Sequence, residues 1–194
     1  MIIETLCEES VPATPGTEKE LKTVQWKDFS YNNTVYELGH LAPFTLAWER
    51  PAKDKRPATV FTVDVTFSFH CFTSDPDDLY DPKLRYSDAR ETRMFDFERY
   101  YLSKRLPEIV RSMSTRQCLH AGRGNFVTID IVAENGETKR YHVFFEPSKS
   151  SIKGRVNLYI QSGYVPNRPV KHTKMPMNFL YILHNTLNGI PFKS

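Results

Sequence analysis

Strict alternation of apolar and polar residues is the strongest signal in the chain. Over residues 59–72, Phe61, Val63, Val65, Phe67, Phe69 and Cys71 alternate with Thr62, Asp64, Thr66, Ser68 and His70. A period of two places the first set on one face of a strand and the second on the other. The pattern predicts a single strand over 59–72, with an apolar core face and a polar face carrying Asp64 and His70. The same period returns downstream. Residues 126–133, 138–146 and 155–164 read as three strands of an antiparallel meander. Tyr141, Val143 and Phe145 share the inner face of the second, and Val156, Leu158 and Ile160 that of the third. Asn135-Gly136, between the first two, is a pair favoured in tight hairpins because both residues tolerate positive φ. Shorter apolar runs at 35–38 and 44–48 predict two further strands.

Helical spacing is confined to two places. Leu102, Leu106, Ile109 and Met113 form one apolar stripe on a helix expected over 88–113. Pro107 has no amide hydrogen, so it either kinks that helix or starts a second short one. Residues 177–187 predict a final helix closed by Asn188-Gly189. The polar segment 115–125 reads as a connection, and 51–57, 75–82 and 147–154 as charged loops. Strands and helices are segregated along the chain, which predicts an α+β fold. Its antiparallel meander packs on the central helix, and an additional β region lies N-terminal to it. Residues 1–22 mix Glu, Ser, Thr and Pro without periodicity and read as a flexible arm; 23–194 read as a single domain.

Composition narrows the class of protein. Hydrophobic residues make up 40% and charged residues 25%, ordinary for a globular chain. Cys7, Cys71 and Cys118 are odd in number and contain no CxxC pair, which points to a reducing compartment rather than a disulfide framework. The N-terminus lacks the basic start and apolar stretch of a signal peptide. The apolar run at 179–183 is too short to span a membrane. These features together predict a cytoplasmic protein with no membrane partner. The net charge of +3 is unevenly spread: residues 64–98 hold nine acids and four Lys/Arg, whereas 147–194 hold seven Lys/Arg and no acid. A basic field of this kind attracts phosphate, although the same charges suit a solvated tail.

No metal or cofactor is expected. The six histidines form no HxxxH or HExxH pattern. His70 and Cys71 are neighbours on a predicted strand and so point to opposite faces. Gly122-Arg123-Gly124 precedes a strand and lacks the spacing of a phosphate loop, so it reads as a tight turn. Cys118 stands two residues before His120 without the surroundings of a cysteine hydrolase, and a buried, inert thiol is the alternative.

The constellation that could carry chemistry is His120, Arg140, Arg155, Ser162 and Tyr164, with Arg123, Lys149 and Lys153 as RNA contacts. His120 lies in the polar connection, where functional residues concentrate. Arg140 and His142 share the expected solvent face of one strand, and Asn157, Tyr159 and Gln161 that of the next. Cations, amides and a ring on an open sheet suit RNA. Cleavage of RNA needs a base for the 2′-hydroxyl, an acid for the leaving 5′-oxygen and a cation at the phosphoryl oxygens. His70, on the polar face with Asp64, Thr66 and Ser68, is a second candidate if that face lines a cleft. The plain alternative is an exposed strand face with no chemistry.

Several stretches carry a resemblance: Ser68-Phe69-His70-Cys71-Phe72-Thr73, Arg93-Met94-Phe95-Asp96-Phe97-Glu98-Arg99-Tyr100, Leu119-His120-Ala121-Gly122-Arg123-Gly124-Asn125-Phe126 and Leu158-Tyr159-Ile160-Gln161-Ser162-Gly163-Tyr164-Val165. Together they resemble a bacterial family labelled "stationary phase growth adaptation protein", a label without a mechanism. More distantly, the order of helix and meander is similar to the barnase–EndoU–colicin–RelE class of metal-independent ribonucleases. That likeness implies His120 as acid/base, Arg140 or Arg155 as phosphate clamp, and Ser162 and Tyr164 lining the site. The long β region before the helix departs from that class. The resulting expectation is a metal-independent endoribonuclease or toxin-like protein acting on RNA, with an antitoxin or other protein partner. The alternative is a non-catalytic module binding nucleic acid or protein through the basic C-terminal third.

Overall fold

The computed structural model describes residues 25–192, apart from 55, 77–80, 123–124, 135–136 and 168–174. The expected arm, Arg123 and the Asn135-Gly136 turn lie outside the described residues. The described chain opens on a small hairpin of β1 (Phe29–Tyr31) and β2 (Thr34–Tyr36), turned by Asn32 and Asn33 at φ 46° and 60°. β3 (Phe44–Arg50) and β4 (Thr59–Phe67) follow as an antiparallel pair. β5 (Thr73–Ser74), β6 (Arg85–Ser87) and β7 (Thr92–Phe95) make a three-stranded sheet. Next come α1 (Phe97–Ser103) and α2 (Leu106–Arg111). β8 (Gln117–Gly122), β9 (Asn125–Glu134), β10 (Glu137–Lys149) and β11 (Arg155–Tyr164) build the larger sheet. β12 (Met177–Asn178) runs directly into α3 (Phe179–Asn188), which Gly189 ends in the left-handed region at φ 66°. The seven strands of the larger sheet lie in the order β12-β8-β9-β10-β11-β4-β3.

Period-two faces emerge as the alternation predicts. Phe61, Val63, Val65, Tyr141, Val143, Phe145, Val156, Leu158 and Ile160 are all buried. Phe179, Ile182 and Leu183 of α3 are buried too, and the Phe179 ring stands edge-on to Trp48 at 5.2 Å and to Phe145 at 5.8 Å. Each such apolar side chain stabilises the fold by roughly 1.5–3 kcal/mol. Leu102, Leu106, Ile109 and Met113 are all buried as well. α2 starts at Leu106 with Pro107 in its first turn, the second-helix outcome of the proline.

Five expectations are corrected. The strand over 59–72 stops at Phe67, because the Ser68 hydroxyl accepts the His70 amide and starts a 3-10 turn, Phe69–Cys71. The helix over 88–113 begins only at Phe97, where the Asp96 carboxylate accepts the Arg99 amide; the residues before it are the turn after β6 and the strand β7. The connection 115–125 contains β8, which pairs with β9. The loop over 147–154 is shorter, since β10 runs through Pro147 to Lys149. The sheet is mixed rather than wholly antiparallel, since β4 and β11 pair parallel, aligning Val63, Val65 and Phe67 with Val156, Leu158 and Ile160. Alternation sets faces but carries no direction, so either orientation satisfies it.

Candidate functional site

Away from the α3 side, the sheet is polar. Asn157 pairs with Asp64, and Tyr159 with Thr66. A register shift opposite Phe144 and Phe145 leaves Gln161 as an extra residue on β11. Its Nε2 donates to Asn125 Oδ1 at 3.2 Å and to Glu146 Oε2 at 3.1 Å. Bulges re-aim side chains in this way beside functional sites.

At this point three segments meet around a groove of about 410 Å³, lined by Ser68, His70, Arg90, Glu91, Tyr159, Gln161 and Ser162. The 3-10 turn after β4 brings Ser68 and His70. The turn between β6 and β7 brings Arg90 and Glu91, and the bulged end of β11 brings the rest. Asp88 builds the second turn: its Oδ1 accepts from the Arg90 amide (2.7 Å) and the Glu91 amide (3.0 Å). Its Oδ2 accepts from Arg90 Nε (3.2 Å) and Nη2 (3.0 Å). The Arg90 amide bond is the largest effect holding the Asp88 carboxyl below its usual range. Asp88, with the Tyr159 hydroxyl adding to it, holds the Arg90 guanidinium charged.

The centre of the groove is the pair His70–Glu91, with Nε2 2.7 Å from Oε1. A carboxylate on one ring nitrogen fixes the imidazole's orientation, an arrangement that suits proton transfer by the other nitrogen. The frame behind the pair is tied by two arginines. Arg99 Nη1 donates to the carbonyls of His70 (3.2 Å) and Thr73 (2.8 Å). Buried Arg93 donates to Thr73 Oγ1 and to Asp75 Oδ1 (2.6 Å), and lies 3.9 Å from Glu91 Oε2.

The residues singled out from sequence do not all meet here. Ser162 lines the groove. Tyr164 is two residues further on, its ring stacked on Phe144 (5.4 Å, 15°) and covered by the Arg99 guanidinium at 5.0 Å. Arg155 begins β11 and donates to Asp64 Oδ1 at 3.3 Å. Arg140 is exposed on β10, opposite Ile131, and Lys149 and Lys153 are exposed around the β10–β11 turn. His142, expected in solvent, is buried, its ring 6.2 Å from that of Phe144. His120 is not in a loop: it is on β8, 9% exposed and edge-on to Phe126 at 5.2 Å. Phe126 stacks in turn on Phe145 at 5.7 Å, so His120 belongs to the core face, across the sheet from Ser162. The structure thus joins Ser162, Tyr159 and Gln161 to His70, and adds Arg90 and Glu91. The sequence signal for the last group is the turn chemistry of Asp88-Ala89-Arg90-Glu91, which says nothing of its distance from His70.

Burial pushes the thiols of Cys71 and Cys118 up to about 12, as inert cysteines require. Among the described residues no group of three or more His, Cys, Asp and Glu is placed to hold a metal ion, and no helix is long and apolar enough to cross a membrane.

Comparison with known proteins gives two matches. The profile of the YjaZ family covers residues 28–187. Protein YjaZ of Escherichia coli (strain K12) is 24% identical over 170 residues, 85% of this chain and 92% of that protein. No solved structure matches.

Proposed function

The chain belongs to the YjaZ family, and we propose that it is a metal-independent endoribonuclease working from the His70 groove. The observation that supports this reading is the His70–Glu91 pair, 2.7 Å apart, in one groove with Arg90, Tyr159 and Ser162. These are the residue types that the chemistry needs, assembled around a different histidine from the one the ribonuclease likeness implies. His70 takes the proton of an RNA 2′-hydroxyl. The 2′-oxygen bonds to phosphorus and the bond to the 5′-oxygen breaks, with the Tyr159 hydroxyl supplying the proton to the leaving oxygen. Arg90 stabilises the charge that builds on the phosphoryl oxygens, where a preoriented cation contributes most. The partner is RNA, with an antitoxin-like protein as its restraint, and the setting is the cytoplasm.

The test is purified protein with single-stranded RNA in a chelator. The expected products end in 2′,3′-cyclic phosphate, and DNA of the same sequence is untouched because it lacks the nucleophile. The second reading, a non-catalytic binding module, draws on Gln161, whose amide is already tied between Asn125 and Glu146 as in a fixed recognition surface. RNA that is bound without being cut supports that reading instead.

A further inference from the structure

Gln161, the extra residue of the β11 bulge, has its amide committed at one end only. Nε2 carries two hydrogens and both are spent, on Asn125 Oδ1 at 3.2 Å and on Glu146 Oε2 at 3.1 Å. A carboxylate only accepts, so Glu146 determines which end of the amide is nitrogen. Gln161 Oε1 is therefore an acceptor that cannot change places with a donor. Among the described residues no hydrogen bond reaches it, and it is not sealed from solvent. Ser68 stands beside it, since the Ser68 amide donates to the Ile160 carbonyl at 2.9 Å and so ties the 3-10 turn to β11 next to Gln161. The Ser68 hydroxyl accepts from the His70 amide at 3.1 Å and keeps its own proton to donate. Both residues line the groove, together with the half-buried Tyr159 ring.

A fixed acceptor next to a donor matches one kind of base edge. Cytosine and adenine present an exocyclic amine beside an unprotonated ring nitrogen. Uracil and guanine present an oxo group beside a ring N–H, which is the reverse order. We propose that the groove selects the amino-bearing bases, cytosine and adenine, with Gln161 Oε1 accepting from the amine and the Ser68 hydroxyl donating to the ring nitrogen. An oxo group in the same place sets two acceptors against each other. No rotation of the Gln161 amide relieves that mismatch while Glu146 holds its nitrogen. Glu146 and Asn125 are positioning residues, acting through Gln161. The inference rests on the reading of the groove as an RNA site, and it adds which nucleotides the site takes.

Short single-stranded deoxyoligonucleotides are the probes, because they carry the bases without the 2′-hydroxyl and are bound without turnover. Fluorescence anisotropy compares deoxycytidine with deoxyuridine strands, and deoxyadenosine with deoxyinosine strands. Within each pair only the exocyclic group and the adjoining ring-nitrogen proton differ. One neutral hydrogen bond predicts about 3–10-fold tighter binding of the amino-bearing member. Gln161→Met should bring both ratios close to one. Glu146→Gln, at an exposed position, keeps Gln161 but lets its amide turn either way, so the ratios should fall there too. Melts followed by circular dichroism establish that each variant is folded, and Glu146→Gln carries the test if Gln161→Met is not. RNA cleavage is assayed separately. Selective binding without cleavage supports this inference and removes the ribonuclease, whereas cleavage with equal binding of both members overturns the inference and keeps the ribonuclease. The inference is also overturned if the wild type binds none of the strands, or if the ratios survive in folded Glu146→Gln.

Discussion

Gly163 of β11 lies directly against the phenol of Tyr141 on β10: a Cβ added at Gly163 would overlap the Tyr141 hydroxyl and come within 3.3 Å of Leu106 Cδ2. That hydroxyl is buried with no hydrogen-bond partner among the described residues, and burial raises its pKa well above the ordinary value. Gly163→Ala is expected to destabilise the protein by about 1–3 kcal/mol through overpacking. Tyr141→Phe removes the obstructing oxygen and an unsatisfied group together, so it should be neutral or stabilising alone and should reduce the cost of Gly163→Ala. Urea unfolding of the two single variants and the double variant measures this; an equal cost of Gly163→Ala in both backgrounds contradicts it.

His120 should behave as a core residue. His120→Ala removes a ring packed on Phe126, and a loss of about 1–3 kcal/mol is expected. Activity per folded molecule should stay close to that of the wild type. Denaturant melts combined with assays on the folded fraction separate this outcome from a catalytic role.

Arg155 is expected to act on stability before it acts on RNA. Asp64 is 1% exposed, and its Oδ1 is held by the Thr45 hydroxyl at 2.7 Å and by Arg155, while its Oδ2 has no partner among the described residues. Arg155→Ala leaves that carboxylate more poorly satisfied and should cost about 1–3 kcal/mol; Asp64→Asn in the same background should restore part of it. Lys149→Ala and Lys153→Ala, at exposed positions, should change stability by less than about 0.5 kcal/mol. If these lysines touch RNA phosphates, each loss flattens the salt dependence of single-strand binding by about 0.7 in log–log slope. Filter binding across a salt series reads the slopes, and calorimetry reads the stabilities.

Stability should fall in mild acid because of His40. Its Nε2 lies 2.8 Å from Ser103 Oγ, whose own proton is donated to the Tyr100 carbonyl. Burial, and then the Lys104 charge, lower the pKa of His40 from 6.5. The unfolded chain thus takes up the proton more readily, so stability is unaffected well above pH 6.5 and declines as pH falls through and below it. His40→Gln should flatten the decline between neutral pH and pH 5 in melts followed by circular dichroism. An unchanged slope contradicts the assignment.

Which side of each strand faces the core is legible in the sequence, because a period of two leaves no other way to bury Val63, Val65, Val156, Leu158 and Ile160 together. The helical stripe through Leu102 and Met113 and the break at Pro107 are legible for the same local reason. Pairing is not: Val65 and Leu158 meet across a long separation, and nothing local specifies a parallel neighbour. The end of β4 turns on one hydroxyl, Ser68, which can continue a strand or cap a turn, and tertiary bonds to Ile160 and Phe67 decide between them. The groove was half visible. His70 and Ser162 carry recognisable chemistry, but Glu91 and Arg90 reach them from a separate small sheet. His120 lies on a strand rather than in a connection because a polar segment can pair as a strand when its ring packs on a neighbouring phenylalanine.

The most direct test compares RNA cleavage by the wild type, His70→Ala and His120→Ala, in chelator, at a temperature where all three are folded. Loss of a proton-transfer group typically lowers the rate by about 10²–10⁴-fold. The account predicts a fall of that size for His70→Ala with its melting temperature retained, cyclic-phosphate products from the wild type, and near-normal cleavage by folded His120→Ala. Cleavage that persists in His70→Ala but disappears in folded His120→Ala, or no cleavage by the wild type at all, would contradict it.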